Sequence, residues 1–117
     1  MAGDALRDEA VVCSEAGGVE GEQKVGMDKF RADFKAKFNA DVQVYAPYVY
    51  DAVKVMATAM VNAGSADPAK YLPALKSITY KGVTGDIAFD EKGDIKNGAL
   101  TLYTYKGGER SAIAVVR

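Results

Sequence analysis

The residues best placed to do chemistry crowd one short stretch: Tyr45, Pro47, Tyr48 and Tyr50 stand where an apolar, helix-periodic run begins. Rings at a helix N-terminus can wall an apolar pocket while the free amides of the first turn face an anion or carboxylate. Ordinary amphipathic packing produces the same pattern, and composition leaves both readings open. The other candidates are weaker. Asp90, Glu91 and Asp94 offer carboxylates to a cation, but a calcium loop needs oxygen ligands at positions 1, 3 and 5 and glycine at 6. Counting from Asp90, position 3 is Lys92 and Gly93 falls at position 4, so the segment reads as a hairpin turn. Gly17, Gly18 and Gly21 lack both the dinucleotide spacing and a phosphate-binding lysine. Asp8 and Glu9 are adjacent, and neighbours on a strand point to opposite faces, which separates them as an acid–base pair.

Composition narrows the chemistry further. The chain has no histidine, so neither a Cys–His nor a Ser–His nucleophile pair can form, and imidazole ligation of a metal is absent. No spacing argues for an enzyme, a metal or a cofactor. Cys13 is the single cysteine and lies in the apolar run Ala10-Val11-Val12-Cys13, where a buried structural thiol is expected. A formal net charge of −1 gives no electrostatic reason to bind nucleic acid or an anionic membrane. Lys24, Lys29, Arg31, Lys35 and Lys37 cluster, but Asp28 and Asp33 interrupt them, as on a solvated helix face. No stretch reaches the ~20 apolar residues of a membrane span. Met1 to Arg7 do not form a basic region leading into an apolar signal core, so no signal peptide is visible. At 117 residues, one domain with a real core is the prior.

Elements that would position the tyrosines follow from periodicity. Glu9–Ser14 reads as a short buried strand, and Glu15 to Glu22, acidic and rich in glycine, as a linker or hinge. A helix is expected from about Gly26 to Asn39, with Phe30, Phe34 and Phe38 along one core-facing stripe. A longer helix should span Ala46 to Ala63, with Pro47 in its first turn, Gly64 ending it, and Val49, Val53, Met56 and Met60 facing the core. Asp67 can cap a third helix that opens at Pro68 and fades near Ile78. Beyond Thr79 the composition turns to strands: Asp86–Phe89, Ala99–Tyr105 and Ala112–Val116. The charged turn Asp90–Asp94 and the turn Lys106–Glu109 separate them.

Several strings then resemble the leucine/isoleucine/valine-binding receptors of ABC transporters, of the type I periplasmic-binding-protein family. Tyr45-Ala-Pro-Tyr-Val-Tyr-Asp-Ala-Val53 is similar to the start of a long helix in those receptors. Similarity continues through Ala63–Pro68 and Lys70–Leu72, and is most specific at Tyr80 to Asp94, which holds Gly85-x-x-x-Phe89-Asp-Glu-Lys-Gly-Asp94. Lys96 to Arg117 looks like the family's closing strands, and Ala2-Gly3-Asp4 like the end of a preceding helix. The resemblance therefore covers nearly the whole chain.

What the resemblance implies is a C-terminal part of a two-lobed α/β fold, helices followed by antiparallel strands. Such receptors close on an amino acid between lobes and pass it to a membrane permease without chemistry. Chain crossings would fall near Ser14–Gly18 and Asn97–Thr101. This puts 1–16 and 100–117 in one lobe as strands, and 19–96 in the other. Of the ligand-lining positions only one carries over, onto Tyr45, as an apolar wall over the substrate side chain; Tyr48 is near but matches no contact. The implied full-length protein is periplasmic and binds leucine, isoleucine, valine or a similar amino acid, while this segment alone should bind none tightly. The rival expectation is a truncated, free-standing module that pairs its exposed strands with a partner or a second copy.

Overall fold

The computed structural model describes residues 11–17 and 22–116. In chain order these form β1 (Val12–Ala16), α1 (Glu22–Phe38), α2 (Ala46–Ala63), α3 (Pro68–Lys76), β2 (Thr79–Lys81), β3 (Asp86–Ala88), β4 (Leu100–Lys106) and β5 (Glu109–Val116). Two compact units result, dividing between residues 18 and 19 and again between 96 and 97.

The first unit is a three-stranded antiparallel sheet in the order β1-β4-β5. Gly107 and Gly108, both at positive φ, make the two-residue turn from β4 to β5, the geometry whose twist matches paired strands. A bulge between Leu102 and Tyr103 shifts the register against β5. Two buried threonines on β4 tie it to β1. The Thr101 hydroxyl donates to the Gly17 carbonyl at 2.8 Å and that of Thr104 to the Val11 carbonyl at 3.0 Å. Glu15 and Arg110 bridge across β4, and the Arg110 guanidinium lies 4.3 Å from the Tyr103 ring centroid. The strand expected at Glu9–Ser14 is shifted toward the C-terminus. Glu9 and Ala10 lie outside the described residues, as do Asp8 and residues 18–21 of the expected linker. Cys13 is half-buried rather than buried, because a three-stranded sheet leaves much of β1 open to water.

The second unit holds the three helices and the β2–β3 hairpin. Its core is Val55, Ala59, Ile78 and Ile87, with Leu75, Tyr80 and Phe89 packed against it. Helix α2 ends as its sequence dictates. Gly64 turns left-handed at φ 60°, and the Ser65 amide reaches back to the Met60 carbonyl at 3.1 Å, closing a Schellman motif. Asp67 caps α3 by accepting from the Ala69 amide at 3.0 Å, with Pro68 next in line. The 90–94 turn is organised by one carboxylate: Asp90 Oδ1 accepts from the amides of Lys92 and Asp94, each at 2.9 Å. Three basic side chains of α1 have acidic partners, Lys29 on Asp33 at 2.6 Å, Lys35 on Asp41 at 2.9 Å and Arg31 near Asp28 at 3.8 Å.

Three expectations about packing need correction. Helix α1 begins at Glu22, one turn before Gly26. Its phenylalanine stripe stays at the surface: Phe38 is 58% exposed and Phe30 and Phe34 are half-buried. Phe30 meets the Tyr50 ring at a 5.0 Å centroid distance, whereas Phe34 and Phe38 stack on their own helix neighbours. Helix α2 buries a different face from the one expected. Pro47, Asp51, Val55 and Ala59 point inward, while Val49 and Val53 are 60% and 63% exposed. The reason is polar: an acid in the second turn of the helix has donors waiting for it in the β2–β3 loop.

Candidate functional site

Tyr45 sits immediately before α2, at φ −89° and ψ −12°, helical in backbone, and its side chain makes no capping hydrogen bond. Its ring is 76% exposed. Pro47 is buried, Tyr48 is half-buried, and Tyr50 packs on Phe30 with the Lys54 ammonium 5.6 Å from its ring. The ring cluster therefore separates: Pro47 and Tyr48 turn inward, Tyr50 joins α1, and Tyr45 projects from the helix entrance. The first-turn amides are less available to an anion than the sequence suggests. That of Ala46 donates to the Gln43 carbonyl at 3.1 Å, and Pro47 has none.

What holds this helix entrance in place is Asp51, six residues or about 1.7 turns beyond Tyr45 and 1% exposed. Its Oδ1 accepts from the Val83 amide at 3.1 Å. Its Oδ2 accepts from the Thr84 amide at 2.8 Å and the Thr84 hydroxyl at 2.6 Å. A buried carboxylate is tolerated only when its lone pairs are met, and here donors reach both oxygens. The loop must come very close to do this. A Cβ added at Gly82 would lie 2.7 Å from the Asp51 carboxyl carbon, so only glycine lets backbone and carboxylate meet. Asp51, Gly82 and Thr84 therefore lock α2 onto the β2–β3 hairpin, and the start of α2 inherits that fixed position. Sequence reasoning passed over Asp51. The available signal was an acid, a poor helix former, inside an apolar run, with a Gly-Val-Thr-Gly turn some 30 residues later offering amides and a hydroxyl.

Among the described residues, no group of three or more Cys, Asp or Glu side chains is arranged to hold a metal ion. Asp67, Asp90 and Asp51 do structural work, as a helix cap, a turn closure and the lock on α2.

Comparison with known proteins bears on what such a scaffold is for. Residues 19–108 match the family described as "Receptor family ligand binding region". The chain belongs to that family. A relative from Pseudomonas aeruginosa, a leucine-, isoleucine-, valine-, threonine- and alanine-binding protein, is 42% identical over 72 residues, covering 62% of this chain and 19% of the relative. A Leu/Ile/Val-binding protein homolog of Brucella abortus is 32% identical over 114 residues, covering 86% of this chain and 31% of the relative. Among solved structures, a leucine-binding protein of Thermotoga maritima superposes with a TM-score of 0.74 over 98% of this chain and 32% of its own, at 24% identity. The receptor-family fold is thus α/β, helices with antiparallel sheets, as the sequence resemblance implied. The chain spans under a third of the lengths of these relatives and is a partial receptor segment relative to them.

Proposed function

We propose that this chain is part of the substrate-binding component of an ABC transporter for branched-chain or related amino acids. The observation that carries the reading is the combination of a receptor-family match with relatives named for binding leucine, isoleucine and valine. In the complete receptor, Tyr45 supplies an apolar wall over the ligand side chain, supported by its exposed ring on a helix entrance locked by Asp51. Residues 1–16 and 100–117 belong to one lobe and 19–96 to the other. The receptor acts in the periplasm, hands its amino acid to a membrane permease and performs no reaction. Charged ends of the ligand need buried partners, since an unpaired ammonium or carboxylate is not readily desolvated. Tyr45 offers none, so the segment alone binds weakly.

Calorimetry tests this directly. The 117-residue chain with leucine, isoleucine or valine should show no binding tighter than about 1 mM, near −4 kcal/mol. Micromolar binding by the isolated chain would sink the fragment reading. A second reading, a self-associating module, draws on one observation: β1 and β5 are the outer strands of the described sheet. Sedimentation separates the two, because a defined dimer favours the module and polydisperse association favours an incomplete receptor.

A further inference from the structure

The chain leaves its helical unit after Lys96 and returns to the sheet unit at Asn97. The backbone is tied on either side of this point. The Lys96 amide donates to the Ala88 carbonyl at 2.9 Å, and the Ala99 carbonyl accepts from the Gly17 amide at 2.8 Å. Asn97 and Gly98 lie between the two ties, outside any helix or strand, and both are exposed. Among the described residues nothing accepts from the Gly98 amide, and nothing is hydrogen-bonded to the Asn97 side chain. Asn97 stands in the left-handed region, at φ 54°.

An asparagine followed by glycine holds an electrophile and a nucleophile one peptide apart. Ring closure between them needs a backbone free to rotate and a nitrogen that no Cβ crowds, and an unbonded turn ending in glycine supplies both. We propose that Asn97-Gly98 is a self-modification site, at which Asn97 is converted to isoaspartate and aspartate. The Gly98 nitrogen bonds to Asn97 Cγ, the Cγ–Nδ2 bond breaks, and the Gly98 proton leaves with Nδ2 as ammonia. Water then opens the succinimide, at Cγ to give aspartate or at the main-chain carbonyl carbon to give isoaspartate. Nothing is oxidised or reduced, and water is the one co-reactant. Either product adds a negative charge beside Lys96. Isoaspartate also inserts a methylene into the main chain between the two ties, where one unit passes into the other. The reaction needs no ligand and is independent of the receptor reading. The other two asparagines are internal controls. Asn39 shares the exposure and the left-handed backbone, at φ 50°, but is followed by Ala40. Asn62 lies inside α2, where helical bonding fixes its backbone.

The test incubates the 117-residue chain in mildly alkaline buffer made with heavy-oxygen water, digests it with pepsin in acid, and weighs the peptide around each asparagine. Heavy oxygen should enter at Asn97 at least about tenfold faster than at Asn39, a barrier difference of about 1.4 kcal/mol, with Asn62 slowest. Protein isoaspartate methyltransferase should label the Asn97 peptide, since opening of the ring at the main-chain carbonyl leaves isoaspartate. The rate at Asn97 should change by no more than about threefold in urea, because the fold already leaves this turn open. Gly98 is not at positive φ, so alanine suits its backbone, and Gly98→Ala should bring residue 97 down to the rate of Asn39. Equal rates at Asn97 and Asn39 in the parent chain overturn the proposal, and that comparison decides even where Gly98→Ala does not fold. Aspartate formed without isoaspartate also overturns it, as the mark of direct hydrolysis. So does a much larger acceleration in urea, which would mean that the fold protects the site.

Discussion

Replacing Asp51 by asparagine keeps the volume of the side chain and changes one oxygen for an amide nitrogen. All three of its partners are donors: the amides of Val83 and Thr84 and the Thr84 hydroxyl. If the remaining oxygen takes the Thr84 side, the new amide opposes the Val83 amide, donor against donor, and the threonine hydroxyl alone is free to rotate. One bond to a charged acceptor is lost and one buried amide is left unmet, for about 2 kcal/mol in all. Asp51→Ala strands every donor and leaves a cavity, for about 3–5 kcal/mol. Thr84→Val removes only the 2.6 Å hydroxyl bond and should cost about 1.5–2 kcal/mol. Thr84→Ser keeps the hydroxyl and should stay within about 0.5 kcal/mol. A unit of this size moves about 4–8 °C per kcal/mol, so Asp51→Asn should melt about 8–16 °C lower. Urea titration followed by circular dichroism, with amide exchange at residues 83 and 84, gives both magnitude and location. An Asp51→Asn midpoint equal to the parent's, or Thr84→Val as harmless as Thr84→Ser, would refute the reasoning.

Gly82→Ala should destabilise to a similar degree as Asp51→Asn, because its methyl would sit 2.7 Å from the Asp51 carboxyl carbon. Combined with Asp51→Ala it should cost less than the two changes summed, which a double-mutant cycle reads. Tyr45→Ala should leave the melting of this chain within about 0.5 kcal/mol, as expected for an exposed side chain. In a complete receptor carrying this segment it should weaken leucine binding about tenfold, or ~1.4 kcal/mol, and alanine binding less. Hydrogen bonding to Asp33, and the attraction of its charge, hold the Lys29 ammonium above its usual value of 10.5. A raised folded value means the pair's contribution is present at neutral pH and is lost only as pH climbs past that range. Asp33→Asn should lower the Lys29 titration seen by NMR without shifting the melt at pH 7, since both groups are largely exposed.

Elements read well from the sequence where the signal was local. The Asp67-Pro68 start of α3, the Gly64 stop of α2 and the Gly107-Gly108 hairpin each follow from backbone preferences of a few residues, and the structure has all three. Which face of α2 points inward was not legible from periodicity, because the helix carries two apolar stripes and the choice is made by a distant loop. The residue that decides it, Asp51, carries a charge that on its own belongs in water; only the donors at Val83 and Thr84 make it a core residue. The aromatic stripe of α1 misled for a related reason. Three rings at helical spacing mark a face that wants cover, and among the described residues only Phe30 finds a ring on another helix, that of Tyr50. Tyr45 could be picked out through its resemblance and through its place before α2, where the structure leaves it exposed.

The pairing of β1 with β4 carries a consequence for the order of events during synthesis. The Thr101 hydroxyl and the Gly17 carbonyl that meet in the finished sheet are 84 residues apart. At about 5–20 residues per second, a ribosome takes about 4–17 s to make the strand that β1 needs. The second unit, continuous from residue 19 to 96, has every one of its own elements by then. Arrested nascent chains ending near residue 96 should already show amide protection in the helical unit, and protection of the sheet should require chains that include β4. Until then β1 lacks its β4 partner, and the interval is when this chain is most open to pairing with the wrong strand.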